Sequence, residues 1–115
     1  MSTRLLGAKY KLVFDRGRSI KGRLTVAWCL SQQDADRMAG VVVSKKTFHD
    51  AVDRNRVKRQ LREAYRKHKH ALAEQMAGRE QGLLIAFIYV SSQIESSAHI
   101  EKRMARLLEK IGEAL

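Results

Sequence analysis

Residues Leu83–Val90 form an unbroken run of eight apolar side chains, and this run constrains the fold more than any other feature of the sequence. A strand that is apolar on both faces needs to be covered on both sides. The pattern therefore predicts a central strand with further layers above and below it. The run is far too short to cross a membrane, so it indicates the interior of a globular domain.

The segments before this strand predict one helix and two longer strands. Lys9–Arg16 reads as a short helix ended by Gly17. Ile20–Leu30 alternates strictly, with Leu24, Val26, Trp28 and Leu30 on one side and Thr25, Ala27 and Cys29 on the other, and an additional strand is possible near Ile20–Arg23. Met38–Val43 is the next strand, which suggests an antiparallel hairpin.

The element order that results is typical of an α+β two-layer sandwich. A polar loop is expected over Ser31–Arg37 and a polar break over Ala77–Gly82. The last helix carries an apolar stripe that consists of Ile100, Met104, Leu107, Leu108, Ile111 and Leu115. We expect a single domain over residues 1–115, with residues 1–7 as a mobile basic arm.

The net charge of +11 and the pI near 10.3 indicate an anionic partner, either a nucleic acid or a membrane surface. No signal peptide is visible near the start of the sequence. The single cysteine, Cys29, permits no internal disulfide, which fits a reducing cytoplasm, and its place in an alternating strand favours a packing role.

More than half of the excess charge lies between Lys45 and His70, where ten Lys and Arg residues face three acids, a balance of 10 − 3 = +7 against +11 overall. The pattern predicts a helix with an apolar stripe of Val57, Leu61, Ala64, Tyr65 and Leu72. A cationic row at four-residue spacing runs along another side of it, made of Arg54, Lys58, Arg62 and Arg66.

A charge run often marks no more than a solvated helix face, but such faces usually mix both signs. Glu63 is the only acid between Arg54 and His70, and like charges four residues apart destabilise an isolated helix. We therefore favour a binding surface for a polyanion. Asn55 at the first turn has two interpretations, a contact to nucleic acid or a helix-capping residue.

This segment resembles the protein subunit of bacterial ribonuclease P. The matching motif is Val43-Ser44-Lys45-Lys46, followed after a short turn by Ala51-Val52-Asp53-Arg54-Asn55-Arg56-Val57-Lys58-Arg59-Gln60-Leu61-Arg62-Glu63. The match is nearly complete over about twenty positions and weaker over the rest of the chain. The resemblance implies an αβββαβα fold, similar to a ribosomal-protein domain, with a four-stranded sheet and a left-handed βαβ crossover, which is a rare hand.

The resemblance also implies two RNA surfaces. The first docks on the catalytic RNA subunit and maps to Lys45, Lys46, Arg54, Asn55, Arg56, Lys58, Arg59 and Arg62. The second is a cleft for the single-stranded 5′ leader of precursor tRNA, mapped to Tyr10, Phe14, Val26 and Trp28. From spacing alone these four residues would be a core face. The family favours a partly exposed cleft, where aromatic rings stack on unpaired bases.

The resemblance implies a ribonuclease P holoenzyme in which RNA and bound Mg2+ cleave the precursor tRNA, with no catalytic residue on the protein. The expected location is the cytoplasm, with no membrane and no protein partner required. The sequence agrees with chemistry carried out by the RNA, because His68 and His70 point to opposite sides of a helix and cannot chelate one metal. The alternatives are a non-catalytic RNA-binding protein of the ribosome or of another structured RNA, and a stand-alone nuclease, which the lack of paired carboxylates disfavours.

Overall fold

The structure is a computed structural model that describes residues 2–5, 7–32, 37–76 and 82–114. The predicted loop over Ser31–Arg37, the predicted break over Ala77–Gly82 and the stripe residue Leu115 lie largely or wholly outside these residues. The secondary structure consists, in chain order, of β1 (Ser2–Arg4), α1 (Gly7–Arg16), β2 (Arg18–Lys21), β3 (Thr25–Gln32), β4 (Arg37–Val42), α2 (Ala51–Gln75), β5 (Gly82–Tyr89) and α3 (Ser97–Ala114).

The strands form one mixed sheet in the order β1-β4-β5-β3-β2. Three helices and the four strands β2 to β5 make the predicted α+β sandwich, and the short β1 adds a fifth strand at one edge. The strand β5 lies in the centre, antiparallel to β3 and parallel to β4. The central position predicted for this apolar segment is therefore confirmed.

The predicted hairpin between the strands near Ile20–Leu30 and Met38–Val43 is wrong. The hairpin that forms joins β2 to β3, with Lys21 opposite Val26, whereas β5 is inserted between β3 and β4. The reason is that β5 is apolar on both faces and gains most by a position with neighbours on each side. The parallel neighbours β4 and β5 are connected through α2 as a βαβ unit. The left hand of this crossover stays a prediction.

The two faces of β5 belong to different parts of the core. Leu83, Ile85 and Phe87 lie in a large cluster beneath α2 and α3, while Leu84 and Ala86 lie in a smaller cluster beneath α1. The helix α1 packs on β3 and β5, and α3 packs on β2 and β3. One face of the sheet is thus covered by two helices, and the other is covered by one short helix that leaves part of it open.

The mobile arm predicted for residues 1–7 is wrong for its described residues Ser2–Leu5. Ser2–Arg4 pair in parallel with β4, the backbone N–H of Leu5 donates to the carbonyl of Ala39 at 3.0 Å, and the Leu5 side chain is only 2% exposed. The sequence pattern could not show this, because three residues of edge strand carry too little alternation to detect. Leu5 closes the small cluster beneath α1.

Replacement of Gly17 with alanine should lower the free energy of unfolding by about 1–3 kcal/mol, the usual range for an overpacked site. Gly17 follows α1, and a Cβ atom there would overlap the carbonyl oxygen of Val13 and lie 2.8 Å from that of Cys29. Both neighbours are backbone atoms, so α1 or β3 would have to shift. Urea unfolding measures the effect.

Gly112→Ala is the matched control, since its Cβ would meet only the mobile amide end of Gln75. Alanine also favours a helix interior over glycine by up to about 1 kcal/mol. We therefore expect this variant to be neutral or slightly more stable. Equal destabilisation of the two variants would show that the close approach at Gly17 has no special effect.

Candidate nucleic-acid interface

The helix α2 has the two sides that the sequence predicts. Its apolar stripe is buried against the sheet and α3, at Val57, Leu61, Ala64 and Leu72, with Tyr65 half-buried beside them. The residues predicted to contact the catalytic RNA lie on the other sides of α2 and, for Lys45 and Lys46, in the loop before it. We refer to them together as the basic face: Lys45, Lys46, Arg54, Asn55, Arg56, Lys58, Arg59 and Arg62. All of them retain solvent exposure.

Ion pairs divide the cations of α2 into two groups. In the second half of the helix, Arg66 pairs with Glu63 at 2.5 Å, and Lys67 pairs with Glu101 of α3 at 3.6 Å. Glu101 also lies 3.0 Å from His68. The hydrogen bond from Arg66 lowers the pKa of Glu63, and that from His68 lowers the pKa of Glu101. Both carboxylates therefore stay charged at neutral pH, and the pairing is lost only as pH falls through these lowered values.

The first half of α2 has no such counter-charges. Among the described residues, no carboxylate lies within 4.0 Å of a charged nitrogen of Arg56, Lys58, Arg59 or Arg62. Their positive charge is therefore available to an external anion. Sequence spacing alone does not reveal this difference, because Arg62 and Arg66 belong to the same four-residue row.

Arg54 differs from the rest of the basic face. Its Nη1 donates to the backbone carbonyls of Phe48 and His49, at 2.9 and 2.7 Å. These two carbonyls belong to the loop between β4 and α2, so Arg54 fastens the loop to the first turns of the helix. Its predicted contact with RNA stays a prediction, and this structural role adds to it.

Arg54→Gln should lower the free energy of unfolding by about 1 kcal/mol, the net value of a typical hydrogen bond, with somewhat more if both bonds are lost. Arg56→Gln is the control, because Arg56 is an exposed residue of the same helix without an internal partner in the described structure. Exposed substitutions usually change stability by less than about 0.5 kcal/mol. Thermal unfolding distinguishes the two variants, and equal midpoints would contradict the fastening role.

The loop into α2 is ordered by short-range bonds and by one aromatic anchor. The N–H of Thr47 donates to the carbonyl of Ser44 at 3.2 Å, and the hydroxyls of these two residues lie 3.0 Å apart. Phe48 is buried and stacks on Tyr89, with ring centroids 6.0 Å apart. Lys45 and Lys46 remain exposed within this loop. The sequence analysis missed Phe48, because a single aromatic residue in a polar loop gives no periodic signal.

Asn55 lies on the exposed side of α2, four residues after the first helical residue, Ala51. The N-cap position belongs to Asp50. The capping interpretation of Asn55 is therefore wrong, and its amide is placed among exposed cations.

The predicted leader cleft is formed by α1 and β3. Phe14 lies between the other two rings, with its centroid 6.3 Å from that of Tyr10 and 5.9 Å from that of Trp28, and it is nearly perpendicular to the indole. All three rings pack against the small cluster beneath α1 and remain partly exposed. The three rings therefore cover one side of the small cluster and also present an aromatic surface to solvent.

Val26 is also half-buried, and the strand register reveals two further floor residues that sequence reasoning missed. Val26 is paired with Ile88 of β5, which is in turn paired with Val42 of β4. Paired residues point to the same face of a sheet. This row lies one step beyond the side chains that pack beneath α1, and all three residues are half-buried. The sequence does not distinguish Ile88 as a cleft residue, because the whole of its strand is apolar.

The basic face and the cleft open towards the same end of the sheet. The row of Val26 and Ile88 lies beside the last residue of β5, Tyr89, which is paired with Thr25. Phe48, in the loop that leads into α2, stacks on that same tyrosine. The loop that leads into α2 and the floor of the cleft therefore lie at the same end of the sheet.

The described ranges hold no group of three or more His, Cys, Asp or Glu residues suited to a metal ion, so these residues do not fit a metal site. Burial raises the pKa of the Cys29 thiol to about 12, which keeps it protonated and unreactive. Within the described residues, no helix is both long and apolar enough to span a membrane.

Comparison with known sequences gives a consistent result. A family model described as Ribonuclease P matches residues 4–112. A ribonuclease P protein component from Porphyromonas gingivalis is 44% identical over 103 residues, which cover 87% of this chain and 75% of the relative. One from Clostridium botulinum is 36% identical over 106 residues, which cover 90% and 88% of the two chains.

Solved structures share the fold. The RNase P protein from Thermotoga maritima superimposes with a TM-score of 0.73 at 23% identity, covering 92% of this chain and 94% of that one. The Staphylococcus aureus RNase P protein gives 0.70 at 21% identity, covering 95% and 94%. With the family model matched over nearly the whole sequence, the chain belongs to the ribonuclease P protein family.

Proposed function

We propose that this protein acts as the protein component of ribonuclease P, which removes the 5′ leader from precursor tRNA. In this proposal the protein binds the catalytic RNA and the leader at separate surfaces. The observation that carries it is the set of unpaired cations on the first half of α2, at the same end of the sheet as a partly exposed aromatic cleft. The holoenzyme is an endoribonuclease, works in the cytoplasm and requires no further protein.

The basic face is suited to the catalytic RNA. Arg56, Arg59 and Arg62 are exposed. Each carries a planar guanidinium group that can donate two parallel hydrogen bonds to one phosphate. A helix that presents several such groups along one side neutralises successive phosphates of a folded RNA and displaces their counterions. Asn55 adds a donor and an acceptor among these cations, and Lys45 and Lys46 extend the surface from the loop.

The cleft is suited to an unpaired leader. Phe14 and Trp28 offer ring surfaces, while Val26, Ile88 and Val42 form an apolar floor. Stacking on aromatic rings tolerates any base, so a cleft of this kind accepts leaders of different sequence. Lys21 is paired with Val26 across β2 and β3 and is exposed, so it places one positive charge at the margin of the floor.

The hydrolysis itself is assigned to the RNA, with Mg2+ held mainly by RNA phosphates. The protein contributes binding energy and orientation, which bring the cleavage site and the catalytic RNA together.

Reconstitution with purified components tests the proposal. Precursor tRNA is incubated at low Mg2+ with the protein, with the catalytic RNA, or with both. We expect efficient cleavage only with both components. Cleavage by the protein without the RNA would identify a stand-alone nuclease. Tight RNA binding without any effect on cleavage would identify a non-catalytic RNA-binding protein. Either result would overturn the proposal.

A further inference from the structure

A second cationic site lies between the β2–β3 turn and α3 and consists of residues outside those assigned to the two RNA surfaces. It is a pocket of about 150 Å³ lined by Gly22, Arg23, Arg103, Arg106, Leu107 and Lys110. Four of these six residues are cations and none is acidic. We refer to it as the α3 pocket.

The fold brings these cations together through one anchor and one glycine. Leu107 is buried and holds α3 against the sheet, while Arg103, Arg106 and Lys110 lie on neighbouring turns on the same side of the helix. The N–H of Gly22 donates to the carbonyl of Thr25 at 2.8 Å and closes the turn. A Cβ atom at Gly22 would lie 3.0 Å from the carbonyl oxygen of Thr25, so glycine suits this tight turn, and Leu107 of α3 lies directly beside it.

Two of the four cations are held in place by hydrogen bonds within the protein. Lys110 Nζ donates to the carbonyl of Lys21 at 3.1 Å, and Arg103 Nε donates to His99 Nε2 at 3.3 Å. Neither contact removes the positive charge. The pocket is therefore partly organised before any ligand arrives.

The other two cations, Arg23 and Arg106, make no hydrogen bond or ion pair within the described structure. The acids of α3 are Glu101, Glu109 and Glu113, and none of them forms an ion pair with any of the four cations in the described part of the chain. Four like charges around a small pocket repel one another. An anion bound there would relieve this repulsion.

We propose that the α3 pocket binds a phosphate group of an RNA backbone. The pocket volume is several times the space that one water molecule needs, so the pocket admits a compact group of several heavy atoms. The three guanidinium groups of the pocket are suited to donate hydrogen bonds to phosphate oxygens. The pocket lies at the same end of the sheet as the two RNA surfaces, because the turn at Gly22 directly precedes the strand that pairs with Tyr89. It adds a third contact and rests on the proposed function only for the identity of the polyanion.

Salt-dependent binding tests this site, with Arg106→Gln as the variant and Lys102→Gln as the control. Lys102 is exposed on the same helix and does not line the pocket. The two probes are leader-bearing precursor tRNA and the catalytic RNA. For one of them, Arg106→Gln should reduce the slope of log affinity against log salt by about 0.7 to 0.9, the value of one phosphate contact. The responding probe identifies the RNA that supplies the phosphate.

The control should leave the slopes for both RNAs unchanged, and both variants should unfold at the wild-type temperature. Arg23→Gln, from the other side of the pocket, should reproduce the effect. Unchanged slopes in both pocket variants would overturn the proposal. So would chemical-shift changes of the arginine Nε–H signals with inorganic phosphate but with neither RNA, because the site would then bind free phosphate. Wild-type protein that fails to promote cleavage would refute the proposed function, while a changed slope would still support the pocket.

Discussion

Replacing Arg56, Arg59 and Arg62 together with glutamine should weaken binding to the catalytic RNA about a hundredfold at moderate salt. Each guanidinium–phosphate contact contributes about 1 kcal/mol or more, and a loss of about 3 kcal/mol corresponds to roughly this factor. The slope of log affinity against log salt should fall by about 2 to 3, because three counterion-releasing contacts are removed. Filter binding over a salt series measures both quantities.

The control for this variant lies on the same helix. Arg66 and Lys67 are already paired with Glu63 and Glu101. Replacing both with glutamine removes two positive charges, against three in the triple variant, but both of these charges are already neutralised by carboxylates. We expect a loss of no more than severalfold. If the two variants weaken binding equally, the net charge of the helix controls affinity and the pairing pattern has no bearing on it.

Trp28→Leu should weaken binding of leader-bearing precursor tRNA about tenfold and leave mature tRNA unaffected. Stacking of one base on an aromatic ring contributes about 1–3 kcal/mol. The indole is partly exposed and lies edge-on to Phe14. Leucine retains much of the apolar contact with the cluster beneath α1 but offers no ring for a base. Fluorescence anisotropy with the two tRNA forms gives the ratio of affinities directly.

Leu30→Ala separates this effect from a loss of packing. Leu30 lies two residues further along β3, packs beneath α1 and has no ring. Its truncation should lower the free energy of unfolding by about 2 kcal/mol or more, less if the site collapses easily, but the ratio of affinities should stay as in the wild type. If Leu30→Ala shifts this ratio as much as Trp28→Leu does, leader recognition depends on the stability of the layer beneath α1 instead of on stacking.

The sequence predicts those parts of this fold that depend on periodicity. The apolar stripe of α2 and the central position of β5 follow from which residues need to be buried, and both are confirmed. The alternation also holds within β3, since Ala27 and Cys29 face the large cluster and Trp28 and Leu30 the small one. It is wrong for Leu24, which precedes β3 and lies in the large cluster instead of on the side of Trp28. In each case the side chains carry the signal themselves.

The order of the strands could not be predicted in this way, because it depends on which strands compete to pair with each edge. The strands β3 and β4 are neighbours in sequence, but β5 pairs with both and separates them. Likewise, Ser2–Arg4 form an edge strand through backbone bonds, which leave no trace in side-chain pattern. These two errors have the same cause: local sequence does not report long-range hydrogen bonding.

For the candidate site, the sequence identifies the residues but does not show which of them form hydrogen bonds or ion pairs within the protein. Arg54 and Arg56 read alike as cations of one motif, yet Arg54 is bonded to the carbonyls of Phe48 and His49. Arg62 and Arg66 also look alike in the sequence, but among the described residues only Arg66 is paired with an acid. Ile88 joins the cleft floor through the register of β5 alone. Such distinctions arise from tertiary contacts.

The central claim is that two separate surfaces hold two different RNAs. The most direct measurement is a crossed binding experiment, in which the basic-face triple variant and Trp28→Leu are each titrated with the catalytic RNA and with leader-bearing and mature tRNA. We expect the triple variant to lose affinity for the catalytic RNA and keep the wild-type preference for the leader, and Trp28→Leu to lose that preference and keep its affinity for the catalytic RNA. Equal losses by both variants on every RNA would contradict it.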